Sequence, residues 1–265
     1  MAQAGKALAG RVALVTGAGS GIGKATALRL AAEGARIGAL SDTESEVRAT
    51  AEAIRAAGGE AIHLFADVGD AGQMRQAVDR LVETYGRLDI AIANAGINGI
   101  RAPIDEIQPE EWDAVMNTNL RGTYLTVYLA VPHLKKAKGG AIAIVSSVNG
   151  NRLFSDAGST PYSCTKAAQV AFTQLTALEL AKHRIRVNAV CPGSIDTEIG
   201  DNTYPRNPEK AEVPVEYPEG EIPLTGKPGT AEDVAELILF LVSDRARHIT
   251  GTPVYIDGGQ SLLVG

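Results

Sequence analysis

Apolar residues along this chain fall into short, nearly continuous runs that alternate with longer amphipathic stretches. The runs Arg11–Thr16, Ala35–Leu40, Glu60–Phe65, Leu88–Ala93, Gly140–Ser146, Ile185–Val190 and Pro253–Ile256 have the length and β-branched content of strands. Between them lie helix-like segments near 22–33, 43–57, 70–85, 109–136, 160–182 and 230–243. Such alternation predicts βαβ units joined by right-handed crossovers. The expected fold is α/β, a doubly wound parallel sheet of about seven strands with helices on both faces. The run Ala141-Ile142-Ala143-Ile144-Val145, apolar at every position, fits a strand covered on both sides. With 265 residues and no internal repeat, a single domain spanning 1–265 is the expectation.

One segment breaks the rhythm. Residues 197–228 hold six of the twelve prolines, and the stretch is too long for a simple connector. It is either a substrate lid or a disordered insertion. Because it follows the carboxyl end of a strand, where ligands bind open α/β sheets, a lid is favoured.

Charge and composition narrow the function classes. A net charge of −6 and a pI near 5.3 argue against a nucleic-acid partner or an anionic membrane surface. No uncharged apolar run is long enough to span a bilayer, and no secretory signal pattern is visible. The two cysteines, Cys164 and Cys191, form no Cys-x-x-Cys pattern, which suits a reducing, cytoplasmic setting. His63, His133, His183 and His248 show no metal-ligand spacing, so no metal is expected.

The candidate chemistry begins at Thr16–Gly23, which follows the first strand and opens the first helix. There Gly17 permits a tight turn, Gly21 lets backbone approach a pyrophosphate, and Gly23 allows close helix–sheet packing. The helix start adds unpaired N–H groups and partial positive charge. The strict G-x-G-x-x-G spacing is absent, since it requires glycine where Ile22 or Lys24 stands. The acidic residue expected about 20 positions on is Asp42, whose carboxylate accepts from a ribose 2′-OH and repels a 2′-phosphate. No Arg or Lys lies between Leu40 and Glu46, and Ser20 stands where a base could meet that phosphate. NAD is favoured and NADP stays possible, with Ser41 the alternative ribose contact.

Tyr162 and Lys166, four apart, share one helix face, and Ser146-Ser147 lies upstream. A free phenol titrates near 10, so acid/base work close to neutral pH needs a drop of roughly two to three units. An ammonium about 6 Å away supplies roughly two of them. A positively charged nicotinamide is the natural source of the rest.

Together these motifs resemble the short-chain dehydrogenase/reductase family, from about Arg11 to Gly259. The family's Thr-Gly-x-x-x-Gly-x-Gly turn is matched in full by Thr16–Gly23, Ser20 and Ile22 included. Its Asn-Ala-Gly is Asn94-Ala95-Gly96, its adenine-holding aspartate Asp67 with Val68, and its helix asparagine Asn119. Its serine matches Ser147, its Tyr-x-x-x-Lys Tyr162 and Lys166, its Pro-Gly Pro192-Gly193, and its nicotinamide-amide contact Thr197. The resemblance implies a Rossmann fold and hydride transfer between NAD(P) and a secondary alcohol or ketone. Tyr162 would then be the acid/base, with Ser147 holding the substrate oxygen and Lys166 also holding the nicotinamide ribose. Asn119 would link Lys166 to solvent through water. A homotetramer built by pairing helices near 109–136 and 160–182 is implied as well.

One departure is that Ser147 lies 15 residues before Tyr162 where the family commonly has about 13, which implies two extra residues in the loop 149–160. Substrate identity stays open. The lid carries seven acids against Arg206, Lys210 and Lys227, a poor receptor for an acidic acyl carrier. Arg101 and Arg152 are candidate clamps for a small anion. The alternatives are a 3-oxoacyl-thioester reductase and a non-catalytic dinucleotide sensor or scaffold.

Overall fold

The structure, a computed structural model, describes residues 6–154, 157–211 and 222–263. Seven parallel strands form the central sheet: β1 (Val12–Thr16), β2 (Arg36–Ser41), β3 (Glu60–Phe65), β4 (Ile90–Ala93), β6 (Gly140–Val145), β7 (Ile185–Pro192) and β11 (Pro253–Ile256). Their order is β3-β2-β1-β4-β6-β7-β11, every neighbouring pair parallel. The helices are α1 (Gly21–Ala32), α2 (Glu44–Ala56), α3 (Ala71–Tyr85), α4 (Pro109–Val115), α5 (Gly122–Lys136), α6 (Thr160–Leu180) and α7 (Ala231–Val242).

Strand alternation divides the core in two. Ala13 and Val15 of β1 pack with Leu30 of α1, Ile54 of α2 and Ile238 of α7 on one face. Val12 and Leu14 pack with Leu81 of α3, Leu134 of α5 and Leu180 of α6 on the other. Side chains that alternate between two apolar layers are why the strands read as unbroken hydrophobic runs.

The chain builds outward from β1 to β3, then returns to β4 and builds the other way. The order therefore reverses between β1 and β4, whose carboxyl ends lead into the glycine turn and into Asn94-Ala95-Gly96. A crevice opens at such a reversal, and ligands of open α/β sheets bind there.

The structure refines two expectations. The helix expected over 109–136 is interrupted by a π-turn, Met116–Arg121, between α4 and α5. Part of the proline-rich segment is ordered. It holds β8 (Ile195–Asp196), which pairs with β10 (Gly229–Thr230), and β9 (Thr203–Pro205), which pairs with β5 (Gly99–Arg101). Residues 212–221, four of the seven lid acids among them, lie outside the described residues. These ladders of two or three residues are too short to leave a periodic trace in sequence.

Candidate active site

The glycine turn is shaped by backbone contact. Gly17 takes φ +64°, and a Cβ there would lie 2.8 Å from Asn94 Nδ2 and 2.9 Å from Ala95 Cα. At Gly23 a Cβ would fall 2.0 Å from the carbonyl oxygen of Gly17, so helix and turn touch without side chains between them. Thr16 locks the crevice, because its hydroxyl donates to the Ile92 carbonyl (3.1 Å) and accepts from the N–H groups of Asn94 (3.0 Å) and Ala95 (3.2 Å). At the start of α1, the Ser20 side chain caps no N–H, which leaves the first-turn donors facing the crevice. Anion-ready donors at a helix start and a turn that admits no Cβ fit a dinucleotide pyrophosphate.

A cleft of about 700 Å³ runs from this turn across the carboxyl ends of the strands. Its walls bring together Gly17, Ser20, Gly21, Ile22, Asp42, Asp67, Val68, Asn94, Ala95, Gly96, Ser147, Tyr162, Lys166, Pro192, Gly193 and Thr197. Two expected residues stand behind the wall. Gly23 is buried in the helix–turn contact, and Asn119 is wholly buried in the π-turn. Thr197 lies over the phosphate turn, 3.3 Å from where a Cβ on Gly21 would stand.

At the β6 end of the cleft, α6 presents Tyr162 and Lys166 one turn apart, the lysine Nζ 5.3 Å from the phenol ring centre. Lys166 is almost fully buried, and its ammonium donates to the Val145 carbonyl at 2.9 Å. Burial pushes its pKa down to about 8. The nearby Cys191 thiol is itself pushed up to about 11 by burial, so it is neutral at pH 7 and offers the ammonium no countercharge.

Ser146 and Ser147 separate by strand alternation. The Ser146 hydroxyl donates to the Lys166 carbonyl at 2.7 Å and so ties β6 to α6. The Ser147 hydroxyl accepts from the Asn149 N–H (3.1 Å), and its own proton is directed to no protein acceptor among the described residues.

Asn119 is held from every side. Its amide accepts from the Ile97 N–H (2.8 Å) and donates to the Ile97 carbonyl (2.9 Å) and Thr165 Oγ1 (3.2 Å). Its backbone carbonyl, turned out of the regular helix ladder by the π-turn, accepts from Thr123 Oγ1 (2.7 Å) and Gln169 Nε2 (2.9 Å). Asn119 Oδ1 and Lys166 Nζ stand 3.3 and 3.7 Å from one point, the position a Cβ on Gly96 would take. Gln169 is buried, and its Oε1 has no partner among the described residues. Nothing in the sequence singles it out, because a lone glutamine in an apolar helix carries no spacing signal.

The Arg101 side of the cleft is tied to the proline-rich segment. Arg101 lines the cleft, its Nε donating to the Ala157 carbonyl at 3.4 Å. Arg152 lies away from the wall with its guanidinium 3.5 Å from the Tyr255 ring centre. Arg206 bonds Glu111 and the Glu106 carbonyl, and Lys210 reaches Glu106 at 2.7 Å, fastening the first half of the proline-rich segment to the start of α4. Among the described residues no group of three or more His, Cys, Asp or Glu is placed to hold a metal ion.

The model of the short chain dehydrogenase family matches residues 11–208. This chain is a short-chain dehydrogenase/reductase. Its relatives among characterised proteins include the 3-oxoacyl-[acyl-carrier-protein] reductase of Thermotoga maritima, 39% identical over 252 residues, covering 95% of this chain and 98% of that protein. A crystal structure of a 3-ketoacyl-ACP reductase from Sinorhizobium meliloti 1021 is 62% identical with a TM-score of 0.93, covering 95% of this chain and 99% of that one. A 3-ketoacyl-(acyl-carrier-protein) reductase from Brucella melitensis complexed with NADH is 31% identical with a TM-score of 0.85, covering 96% and 99%. As a short-chain dehydrogenase/reductase the protein is an oxidoreductase of CH–OH groups that uses a nicotinamide cofactor on the Rossmann fold described above. Among the described residues no helix is long and apolar enough to cross a membrane.

Proposed function

We propose that this short-chain dehydrogenase/reductase uses the NAD(H) pair to interconvert a small secondary alcohol and its ketone, with Tyr162 exchanging the proton at the substrate oxygen. The observation that carries the reading is the buried Lys166 ammonium 5.3 Å from the Tyr162 ring, in a cleft shared with Ser147 and the glycine turn. Bound in the cleft, the nicotinamide gives or accepts the hydride. The Ser147 hydroxyl donates to the substrate oxygen and holds it against the phenol. Lys166, whose ammonium spends one of its three N–H donors on Val145, stabilises the phenolate and offers the others to the nicotinamide ribose. Asn119 braces the wall behind Lys166 and borders the proton path to solvent.

Gly17, Ser20, Gly21, Ile22 and Gly23 hold the pyrophosphate, Asp42 the adenosine ribose, and Asp67 and Val68 the adenine. Asn94, Ala95 and Gly96 floor the crevice, while Pro192, Gly193 and Thr197 hold the nicotinamide. Asp42 and the absence of a lysine or arginine from that end of the wall support NAD over NADP. Segment 197–228 acts as the substrate lid. Exposed apolar side chains on α5 (Tyr124 and Tyr128, stacked at 5.5 Å) and on α6 (Leu175, Leu178) support pairing of these helices in a homotetramer. The free cysteines suit a cytoplasmic setting.

Similarity to 3-ketoacyl-acyl-carrier-protein reductases favours a second reading, reduction of a 3-oxoacyl thioester. Acids on the lid, Glu198, Asp201 and Glu209 among the described residues, weigh against docking an acidic carrier there. A paired assay decides. Oxidation of secondary alcohols with NAD⁺ is expected to exceed reduction of an acetoacetyl thioester with either reduced cofactor. Faster thioester reduction would replace the alcohol reading.

A further inference from the structure

One glycine of the phosphate turn is not required by its backbone. Gly19 lies outside the left-handed region that Gly17 and Gly21 occupy. What a Cβ at Gly19 would meet is side chains: Glu46 Oε2 at 2.7 Å, Glu46 Cβ at 3.0 Å and Ser41 Oγ at 3.2 Å. The space over this glycine is thus filled by Glu46, which reaches back from the first turn of α2 to lie on the phosphate turn.

Glu46 is exposed, with no hydrogen-bond or ion-pair partner among the described residues. The nearby Arg48 is paired with Glu44 at 2.6 Å. Glu46 lines the cleft together with Ser41, Asp42 and Thr43. The cations on the cleft wall are Arg101 and Lys166. Lys166 stands against β6, three strands from β2, a separation of about 14 Å at ordinary strand spacing. The β2 end of the cleft therefore carries two uncompensated carboxylates beside the turn that takes the pyrophosphate.

We propose that Glu46 is a second determinant of cofactor choice, acting with Asp42 to reject a phosphate on the 2′ position of the adenosine ribose. The inference rests on the reading that NAD(H) is the cofactor bound in this cleft. A ribose bearing a free 2′-OH offers Asp42 a donor and leaves Glu46 indifferent, whereas a 2′-phosphate brings about two further negative charges that both carboxylates repel. Gly19 contributes by leaving room for the Glu46 side chain.

The test is calorimetric binding of NAD⁺ and NADP⁺ to the full-length wild type and to Glu46→Gln at low and high salt. Removing one negative charge about 6 Å from a doubly charged phosphate is worth about tenfold at the dielectric of water. NADP⁺ affinity should therefore rise about tenfold in Glu46→Gln, while NAD⁺ affinity stays within about twofold and shows that the variant is folded. The gain should shrink at high salt, as an exposed charge effect must. Unchanged NADP⁺ affinity in a wild type that prefers NAD⁺ overturns the role of Glu46 alone. A wild type that prefers NADP⁺ overturns the NAD reading itself, and this inference with it.

Discussion

Replacing Lys166 by methionine should make the cofactor-free protein more stable at pH 7 while removing its activity. Burial lowers the lysine pKa from 10.5 to about 8 in the folded state, so the unfolded chain binds more protons at this site between those two values. Stability attributable to this site therefore rises with pH across that window and is most penalised below it. A shift of about 2.5 units corresponds to about 3 kcal/mol at pH 7. Against this stands the hydrogen bond to the Val145 carbonyl, worth about 1–2 kcal/mol. Methionine is unbranched, of similar length and uncharged, so Lys166→Met should gain about 1–2 kcal/mol at pH 7. By pH 10 the folded-state lysine is neutral while the unfolded one, at 10.5, is still mostly charged, so the variant's advantage should have shrunk by about 2 kcal/mol, to near zero or slightly below. Guanidinium unfolding of both proteins at pH 7 and pH 10, at one protein concentration, measures the difference with other titrations cancelled. A stability difference that does not change with pH would refute the argument.

Other substitutions test other parts of the site. Tyr162→Phe should cut turnover by at least about 10²-fold with cofactor affinity nearly unchanged, and retention of the wild-type rate would remove the phenol from the mechanism. Gly17→Ala adds a Cβ 2.8 Å from Asn94 Nδ2 and should weaken cofactor binding at least about tenfold in a titration; unaltered affinity would mean the turn is not the pyrophosphate site. Arg206→Ala unfastens the lid from Glu111 and should raise KM more than it lowers kcat, whereas unchanged KM would separate this contact from substrate. Arg184 holds φ +58°, so Arg184→Gly should stabilise the protein by about 1 kcal/mol in thermal unfolding, and a lowered Tm would contradict left-handed strain there.

Most of the architecture was legible in the sequence because the sheet is buried on both faces. Strands such as Gly140–Val145 must then be apolar at every position, and the helices between them must each carry an apolar face toward the sheet. The glycine turn was legible for a related reason, since Gly17 and Gly23 occupy places where any side chain would strike backbone. Legibility failed where structure depends on contacts between distant segments. The β5–β9 ladder pairs Gly99 with Thr203, and no local pattern in either segment marks them as partners. Gln169 bonding the Asn119 carbonyl is a tertiary fact of the same kind. The choice between Ser146 and Ser147, a matter of register in sequence, becomes a matter of direction in space, because one hydroxyl is committed to the Lys166 carbonyl.

Among the described residues the β5–β9 ladder forms a sheet of its own, apart from the seven-stranded one. In the proposed mechanism proton and hydride chemistry are anchored on the large sheet and α6, while much of the proposed substrate-facing border is carried by this small outrigger and its ionic ties to Glu106 and Glu111. A lineage can therefore redraw the outrigger, loop by loop, and acquire a new substrate while inheriting the reaction intact.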